Sequence, residues 1–297
     1  MRQFLDDNFL LANDTAIELY HDWAAAMPIY DYHCHLPPIQ VAENHKFTSI
    51  TDVWLGGDHY KWRALRANGV DEELITGSAG DWEKFQAWAE TMPYTIGNPL
   101  YQWTHLELRR YFGIDELLGP DTAEVIFARC NEQILSDSFR ARELMRMMKV
   151  KTVCTTDDPV DDLRHHKSIT DDGFEIKVYP AFRPDKAFKV DDTDTFIPWL
   201  RSLSETSGLE ITTSAGLLEA LENRIDYFHS QGCRLSDHGI NAPFAADCTA
   251  AEADEILSSV LAGNSVNPIQ TKKFAGTVLL ELGRMYAAKG WTMQLHL

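Results

Sequence analysis

The sequence predicts an α/β fold: a (β/α)8 TIM barrel with a helical insertion after its first strand, of which the 297 residues hold about the first five strands. Short apolar segments alternate with longer stretches of helical periodicity, a pattern typical of parallel β/α units. Each predicted strand also ends in a polar side chain, and barrel active sites are assembled at the carboxyl ends of the strands. A doubly wound sheet would place ligands there too, but no glycine-rich phosphate loop follows any strand.

The first predicted strand covers residues 29–35, IYDYHCH, and two prolines end it. Because side chains alternate along a strand, His33 and His35 should project from one face. Two adjacent imidazoles can hold one divalent cation or two oxygens of one ligand. Both histidines could equally be polar residues at a strand end, so the pair needs support from the rest of the chain.

Helical segments flank this strand. Residues 4–28 predict a helical lead-in, and residues 40–149 carry helix start and stop signals with little strand pattern. We therefore expect three parts: residues 1–39 with the N-terminal helix and first barrel strand, residues 40–149 as a helical insertion, and residues 150–297 as barrel β/α units two to five.

Four more strands follow the insertion. They are predicted at residues 150–157, 174–183, 232–238 and 291–297, with helices over 158–167, 195–207, 214–230 and 250–289. Their polar ends are Asp157, Arg183, Asp237 with His238, and His296. Because a barrel needs about eight strands, we expect the 297 residues to be the front part of a longer polypeptide with three more β/α units.

The charge and the cysteine content indicate which class of partner and which cellular location to expect. The chain has 45 acidic against 27 basic residues, a net charge of −18, which argues against nucleic acid or an anionic membrane as the partner. A small-molecule ligand is favoured instead. The five cysteines are widely spaced, without a CxxC pair, as in a reducing cytoplasm. Neither a signal-peptide core nor a membrane span is predicted, so we expect a cytoplasmic protein.

Longer segments resemble a known family. An H-x-H on the first barrel strand, with histidines on later strand tips, resembles the amidohydrolase superfamily and its metal-dependent-hydrolase-like barrels. The segments YDYHCHLPP, GDHYKWRALRANGV, TIGNPLYQWTHLELRRYFGI, TTDDPVDDL and FRPDKAF together resemble the uronate isomerases, the glucuronate isomerase family. The resemblance implies reversible conversion of D-glucuronate to D-fructuronate and of D-galacturonate to D-tagaturonate, with a uronic acid as the small-molecule substrate.

The resemblance also implies roles for particular residues. His33 and His35 match the metal ligands of the first strand, with zinc as the first expectation and manganese as the second. His59 and Tyr60 match a polar pair in the inserted helical segment, and Arg183 matches an arginine at the end of the third strand.

His296 matches the histidine of the fifth strand, and we expect it to bind substrate together with Arg183 and His59. The family also uses an aspartate and an arginine on an eighth strand. We expect that carboxylate to reach the metal from beyond Leu297, and residues 1–297 alone to aggregate and to lack useful isomerase activity. A homo-oligomer is expected as well.

The residue types suit this chemistry. Aldose–ketose isomerisation moves a proton from C2 to C1 through an enediol, which requires an acid/base group. Tyr60 is the expected proton carrier and His59 orients it or binds hydroxyls, while the group that takes the C2 proton stays open. Asp58 should cap their helix, whose free N–H groups attract a carboxylate. Arg183 can bind a carboxylate through two hydrogen bonds, or it pairs with Asp185 on the surface.

Other interpretations stay open. His165 and His166 are expected on a solvated helix surface, while His238 is a candidate because it lies at a strand tip. A metal-dependent hydrolase of the amidohydrolase type is the alternative function, and an inactive truncated chain with a residual binding surface is another. Ketose formation from glucuronate distinguishes them.

Overall fold

The computed structural model describes residues 4–240, 244 and 246–296. The chain forms two compact units. The helical unit consists of Met1–Ile29 and Glu43–Val150, and the strand unit of Tyr30–Ala42 and Lys151–Leu297.

The described residues form five strands and thirteen α-helices, and in the strand unit the two alternate. The strands are β1 (Ile29–Asp31), β2 (Val150–Cys154), β3 (Lys177–Tyr179), β4 (Leu235–Gly239) and β5 (Thr292–His296). The helices are α1 (Asp14–Glu18), α2 (Pro38–Ala42), α3 (Ile50–Leu55), α4 (His59–Ala67), α5 (Asp81–Thr91), α6 (Pro99–Phe112), α7 (Ala123–Ile134), α8 (Ala141–Met147), α9 (Arg164–Asp171), α10 (Thr193–Ser207), α11 (Ser214–Ser230), α12 (Ala250–Leu261) and α13 (Pro268–Lys289). The predicted α/β class is confirmed.

Strand neighbours follow the chain order. One sheet has the order β1-β2-β3 and a second pairs β4 with β5, and both β2–β3 and β4–β5 are parallel. Phe182 continues the order between them, because it forms single parallel bridges to Asp157 and to Ser236. Parallel neighbours bring their carboxyl ends to one edge, so the polar residues after each strand can meet.

All five strands are shorter than the sequence predicts, and β1 and β3 differ most from their predicted ranges. β1 ends at Asp31, so His33 and His35 lie just after the strand rather than on it. The Asp31 carboxylate accepts a hydrogen bond from the His33 N–H at 3.2 Å, and such a local side-chain bond turns the chain out of the ladder. β3 stops before Pro180 because proline has no N–H to donate to the ladder.

The helical unit is built around its own apolar core. Trp88, Phe85, Leu65 and Leu108 are fully buried and contributed by α4, α5 and α6. α6 begins at Pro99, a position that needs no N–H donor, and Gly113 ends it in the left-handed conformation.

The strand unit has a separate core. Helices α10, α11, α12 and α13 cover the strands and bury Phe182, Leu217, Phe228, Leu282 and Tyr286. In the part of the chain that the structure describes, no helix combines the length and apolar character that crossing a membrane requires.

Candidate metal and anion site

Two imidazoles and a carboxylate meet at the carboxyl ends of the strands. His33 Nδ1 lies 3.4 Å from Asp237 Oδ2, and His296 Nδ1 lies 2.6 Å from Asp237 Oδ1. The His33 and His296 rings are 4.4 Å apart between centroids. We call His33, Asp237 and His296 the strand-tip group.

The strand pairing explains why these three residues meet. β4 and β5 pair in register, with Asp237 opposite Gln294 and Gly239 opposite His296. Residues two apart on a strand share a face, so Asp237 and His296 project from the same face of the pair. The Gln294 side-chain N–H donates to the carbonyl of Tyr32 at 3.0 Å, and this bond brings the segment after β1 beside β5.

Arg183 joins the strand-tip group from the end of β3. Its Nη1 donates to Asp237 Oδ2 at 3.1 Å, and its Nε donates to Asp185 Oδ2 at 2.8 Å. Asp185 in turn accepts the Gly239 N–H at 3.0 Å. The pairing with Asp185 exists, but the Arg183 side chain is only 25% exposed, so this is not a free surface ion pair.

Gly239 makes room for the guanidinium. A Cβ atom at this position would lie 2.5 Å from Arg183 Nη2 and 3.2 Å from Asp185 Oδ2, well inside van der Waals contact. The absence of a side chain at the last residue of β4 therefore lets Arg183 reach Asp237.

The donor set suits a divalent cation. Two imidazole nitrogens and one carboxylate are ligands that zinc accepts, and manganese tolerates the same mixture. Asp237 is completely buried, and its Oδ1 accepts no hydrogen bond with good geometry from the described residues, although His296 Nδ1 is close. A buried carboxylate oxygen without a hydrogen bond, beside the His296 imidazole and on the same carboxyl group that His33 approaches, can face a cation together with the two imidazoles.

His35 stands outside this group of three. Its ring centroid is 5.0 Å from that of His33, with the two planes at 87°. The two histidines are therefore neighbours, but the ligand atoms that gather within 4.8 Å belong to His33, Asp237 and His296. The role of His35 as a ligand stays a prediction.

His59 and Tyr60 occupy the first turn of α4 in the helical unit. Asp58 caps this helix as predicted, because its Oδ1 accepts the N–H groups of Tyr60 and Lys61 at 2.9 and 3.1 Å. The His59 and Tyr60 rings are 4.4 Å apart, and Tyr60 is 57% exposed beside a groove of about 520 Å³. The apolar wall of this groove includes Trp103.

His238 lies on the opposite face of β4 from Asp237. It is completely buried between the rings of Phe188 and Tyr286, at centroid distances of 5.8 and 5.7 Å. Burial lowers the pKa of His238 to about 4, so the imidazole is neutral at physiological pH. Strand alternation thus directs His238 into the core while its neighbour Asp237 faces the site.

The expected surface location of His166 is wrong. His166 is only 4% exposed, and its Nε2 is 2.7 Å from the Thr155 hydroxyl. His166 lies on the face of α9 that is turned toward Thr155, the residue after β2, whereas Arg164 on the same helix is exposed. A charged local sequence did not reveal which face of the helix is buried.

Asp237 is the residue that sequence reasoning did not assign to the site. The signal was present, because Asp237 ends a predicted strand in the same way as Arg183 and His296. His238 drew attention instead because it is a histidine, and only the pairing of β4 with β5 decides which of the two neighbours faces the site.

The whole chain is similar to a known protein family. The sequence model of the glucuronate isomerase family matches residues 1–297. The chain is 50% identical over 297 residues to the uronate isomerase of Bacteroides fragilis and 51% identical to that of Bacillus licheniformis. These alignments include 100% of this chain but only 64% and 63% of the two relatives.

Solved structures show the same fold. The crystal structure of uronate isomerase from Thermotoga maritima matches with a TM-score of 0.93 and 32% identity, covering 99% of this chain and 64% of that one. Glucuronate isomerase from Caulobacter crescentus matches with a TM-score of 0.85 and 29% identity, covering 91% and 58%. The chain spans about 64% of the length of the relatives it matches, and it belongs to the glucuronate isomerase family.

Proposed function

We propose that this chain carries part of the active site of a uronate isomerase, which interconverts D-glucuronate with D-fructuronate and D-galacturonate with D-tagaturonate. Membership of the glucuronate isomerase family supports the reaction. The single observation that carries it is Arg183, a cation held 3.1 Å from a buried carboxylate within a group of potential metal ligands. On a chain with net charge −18, a basic side chain at such a place suits an anionic substrate.

His33, Asp237 and His296 are the residues proposed to hold a divalent cation, zinc first and manganese second. His35, which lies beside His33, stays a proposed ligand on the family resemblance. When bound, the cation would polarise the sugar carbonyl or the neighbouring hydroxyl. His296 is the most exposed of the three, at 47%, and is also proposed to contact substrate.

Arg183 is proposed to bind the carboxylate of the uronate. Two of its nitrogens already contact Asp185 and Asp237, which orients the planar guanidinium and leaves Nη2 for the substrate. The two aspartates thereby fix the direction of the fork before substrate arrives, which lowers the entropy lost on binding.

Tyr60 is proposed as the acid/base group, and His59 as the residue that orients it or binds sugar hydroxyls. In the reaction a proton leaves C2 and is returned to C1, while the O2 proton is transferred to O1. Support comes from the cap at Asp58, which fixes the first turn of α4, and from the exposure of the Tyr60 side chain.

The wider architecture is part of the same proposal. We infer a (β/α)8 barrel that the five strands of this chain begin, with residues 40–149 as an insertion between the first strand (1–39) and units two to five (150–297). We also infer a homo-oligomer and a cytoplasmic location. The location rests on five cysteines, all within the described residues, that are free thiols.

The test is direct. The protein, purified at the full length of its gene product, is incubated with D-glucuronate or D-galacturonate, and ketose formation is followed. We expect ketose from both uronates and none from D-glucose, which lacks the carboxylate. Hydrolysis of an amide or ester substrate without any isomerisation of uronates would favour the hydrolase alternative and contradict this proposal.

A further inference from the structure

The end of β3 is held by a side chain of the neighbouring strand rather than by a regular ladder. Main-chain bonds join the Thr155 N–H to the Tyr179 carbonyl at 2.9 Å and the Asp157 N–H to the Ala181 carbonyl at 3.0 Å. The Ala181 N–H donates instead to the Asp157 carboxylate, at 3.2 Å. The Arg183 N–H then returns to the main-chain carbonyl of Asp157 at 2.8 Å. Asp157 therefore holds both Ala181 and Arg183.

The Asp157 carboxylate is buried, and a hydrogen bond from a neighbouring side chain fixes its orientation. Asp157 is 4% exposed, and its Oδ2 accepts the Thr155 hydroxyl at 2.7 Å. The same hydroxyl lies 2.7 Å from His166 Nε2. Burial, followed by the neighbouring His165, lowers the pKa of His166 to about 4, so the imidazole is neutral. His166 then donates from Nε2–H to Thr155, which donates to Asp157.

The remaining nitrogen of His166 supports this direction. Among the described residues its Nδ1 has no hydrogen-bond partner. A bare acceptor nitrogen without a partner costs less than an unpaired N–H, so the proton belongs on Nε2. Three residues thus form a chain of hydrogen bonds, from His166 through Thr155 to Asp157. It ends at Ala181, in the main chain just after β3.

Stability alone does not explain a carboxylate at this position. Burial raises the pKa of Asp157 to about 7, which means that its charged form is disfavoured in the fold. A main-chain carbonyl would fill the same ladder position without that cost. The carboxylate instead fixes the backbone two residues before Arg183, whose guanidinium contacts the strand-tip group.

We propose that Asp157 is a positioning residue for Arg183: its carboxylate fixes the direction in which the chain leaves β3, and Thr155 and His166 orient that carboxylate. The proposal rests on the function proposed above for Arg183, the binding of the uronate carboxylate. It also predicts that uronate binding depends on pH, because the hydrogen bond from the Ala181 N–H to Asp157 becomes stronger when the carboxyl group loses its proton.

Near neutral pH, Asp157 is the group in this cluster that changes protonation, because its titratable neighbours keep theirs. Asp161 repels its charge and raises the Asp157 pKa further after burial. The thiols of Cys34, Cys154 and Cys233 also face it, and burial raises their pKa values to about 12, 11 and 12. They stay protonated near neutral pH, as His166 stays neutral.

The first test measures the hold on β3 without any substrate. Amide hydrogen exchange is followed at Ala181 and Arg183 in the wild type, Asp157→Asn and Thr155→Val at pH 8. A neutral acceptor is weaker than a carboxylate, so we expect exchange at both amides to be about tenfold faster in the two variants. Thr155→Ser keeps the hydroxyl and should restore wild-type exchange. Asp226→Asn, which alters an exposed ion pair on α11, is the matched control.

The second test links this hold to the site. Asp157→Asn should raise KM for D-glucuronate about tenfold while kcat changes by less than about threefold, since about 1.4 kcal/mol of binding is lost. In the wild type KM should rise below pH 7, whereas in Asp157→Asn it should be flat. A purely structural role would lower kcat and thermal stability instead, and leave the pH profile unmoved.

The outcomes separate the two proposals. Unchanged exchange at Ala181 and Arg183 overturns the positioning role whatever the protein does to uronates. Faster exchange with unchanged KM also overturns it, because Arg183 would then not depend on Asp157. A wild-type protein that neither binds nor converts uronates contradicts the proposed function, and the exchange data still decide whether Asp157 holds the end of β3.

Discussion

The absence of a side chain at Gly239 makes the placement of Arg183 testable by one methyl group. The ideal Cβ of Gly239→Ala lies 2.5 Å from Arg183 Nη2, about 1 Å inside ordinary contact, so the guanidinium has to move by about that distance. Its 3.1 Å bond to Asp237 is then lost. A hydrogen bond between charged groups contributes about 1.5–3 kcal/mol. We therefore expect D-glucuronate to bind about ten- to a hundredfold more weakly.

The fold itself should tolerate this substitution. The backbone at Gly239 is not in the left-handed region, and the atom that the methyl group meets is the end of a flexible side chain. Replacing glycine by alanine also restricts the unfolded chain, which favours folding by about 0.4–1 kcal/mol. The lost Arg183–Asp237 bond outweighs this gain, so the free energy of unfolding should fall by about 0.5–2.6 kcal/mol while the protein stays folded.

Calorimetric titration with D-glucuronate and urea unfolding measure the two quantities separately. Gly119→Ala is the matched control, because its Cβ would meet no atom within 4 Å and its backbone is unstrained. Unchanged uronate affinity in Gly239→Ala, with the fold intact, would refute the claim that Arg183 must lie against Asp237 to bind substrate.

Three further expectations concern charged residues. Arg183→Lys keeps the charge but loses the planar fork, so the affinity for D-glucuronate should fall about tenfold while the affinity for a hexose without a carboxylate is unaffected. Equal effects on both affinities would show that Arg183 does not bind the acid group. Lys61→Met removes the partner of the half-buried Asp58 and should lower the free energy of unfolding by about 1–3 kcal/mol. Arg66→Met breaks an exposed ion pair with Glu72 and should lower it much less, so similar losses in the two variants would contradict this expectation. Burial raises the pKa of Asp157 from 3.8 to about 7, so its contribution to stability is present at low pH and is lost as pH rises from about 4 through 7, by at most about 1.4 kcal/mol per pH unit. Urea unfolding of the wild type and of Asp157→Asn at pH 5 and pH 8 measures this loss as a difference in the free energy of unfolding. A wild type that becomes more stable relative to Asp157→Asn toward pH 8 would contradict the sign.

The sequence was informative wherever structure depends on neighbours along the chain. The strands beginning near Val150 and Leu235, and the helix start at Asp58, follow from local patterns of apolar residues and caps, and the structure has them. The end of β1 was misplaced because the Asp31 side chain competes with the ladder for the His33 N–H, and a pattern of apolar residues does not report that competition.

The site depends on contacts between distant residues, and these were only partly predictable. Strand tips that converge are expected for any parallel sheet, so Arg183 and His296 could be named from sequence. The choice of Asp237 over His238 required the pairing of β4 with β5. The burial of His166 required the packing of α9 against α2 and β3, which no local signal reports.

The most direct test of the central claim is the metal content of variants of the strand-tip group. Inductively coupled plasma mass spectrometry of the purified protein should find about one divalent ion per chain. His33→Gln and Asp237→Asn should each lower metal affinity at least about tenfold, with unchanged circular dichroism. His45→Gln, at a partly exposed histidine of the helical unit, should retain the wild-type metal content. Full metal occupancy in a folded Asp237→Asn protein would contradict the account, because the carboxylate at the centre of the group would then hold no cation.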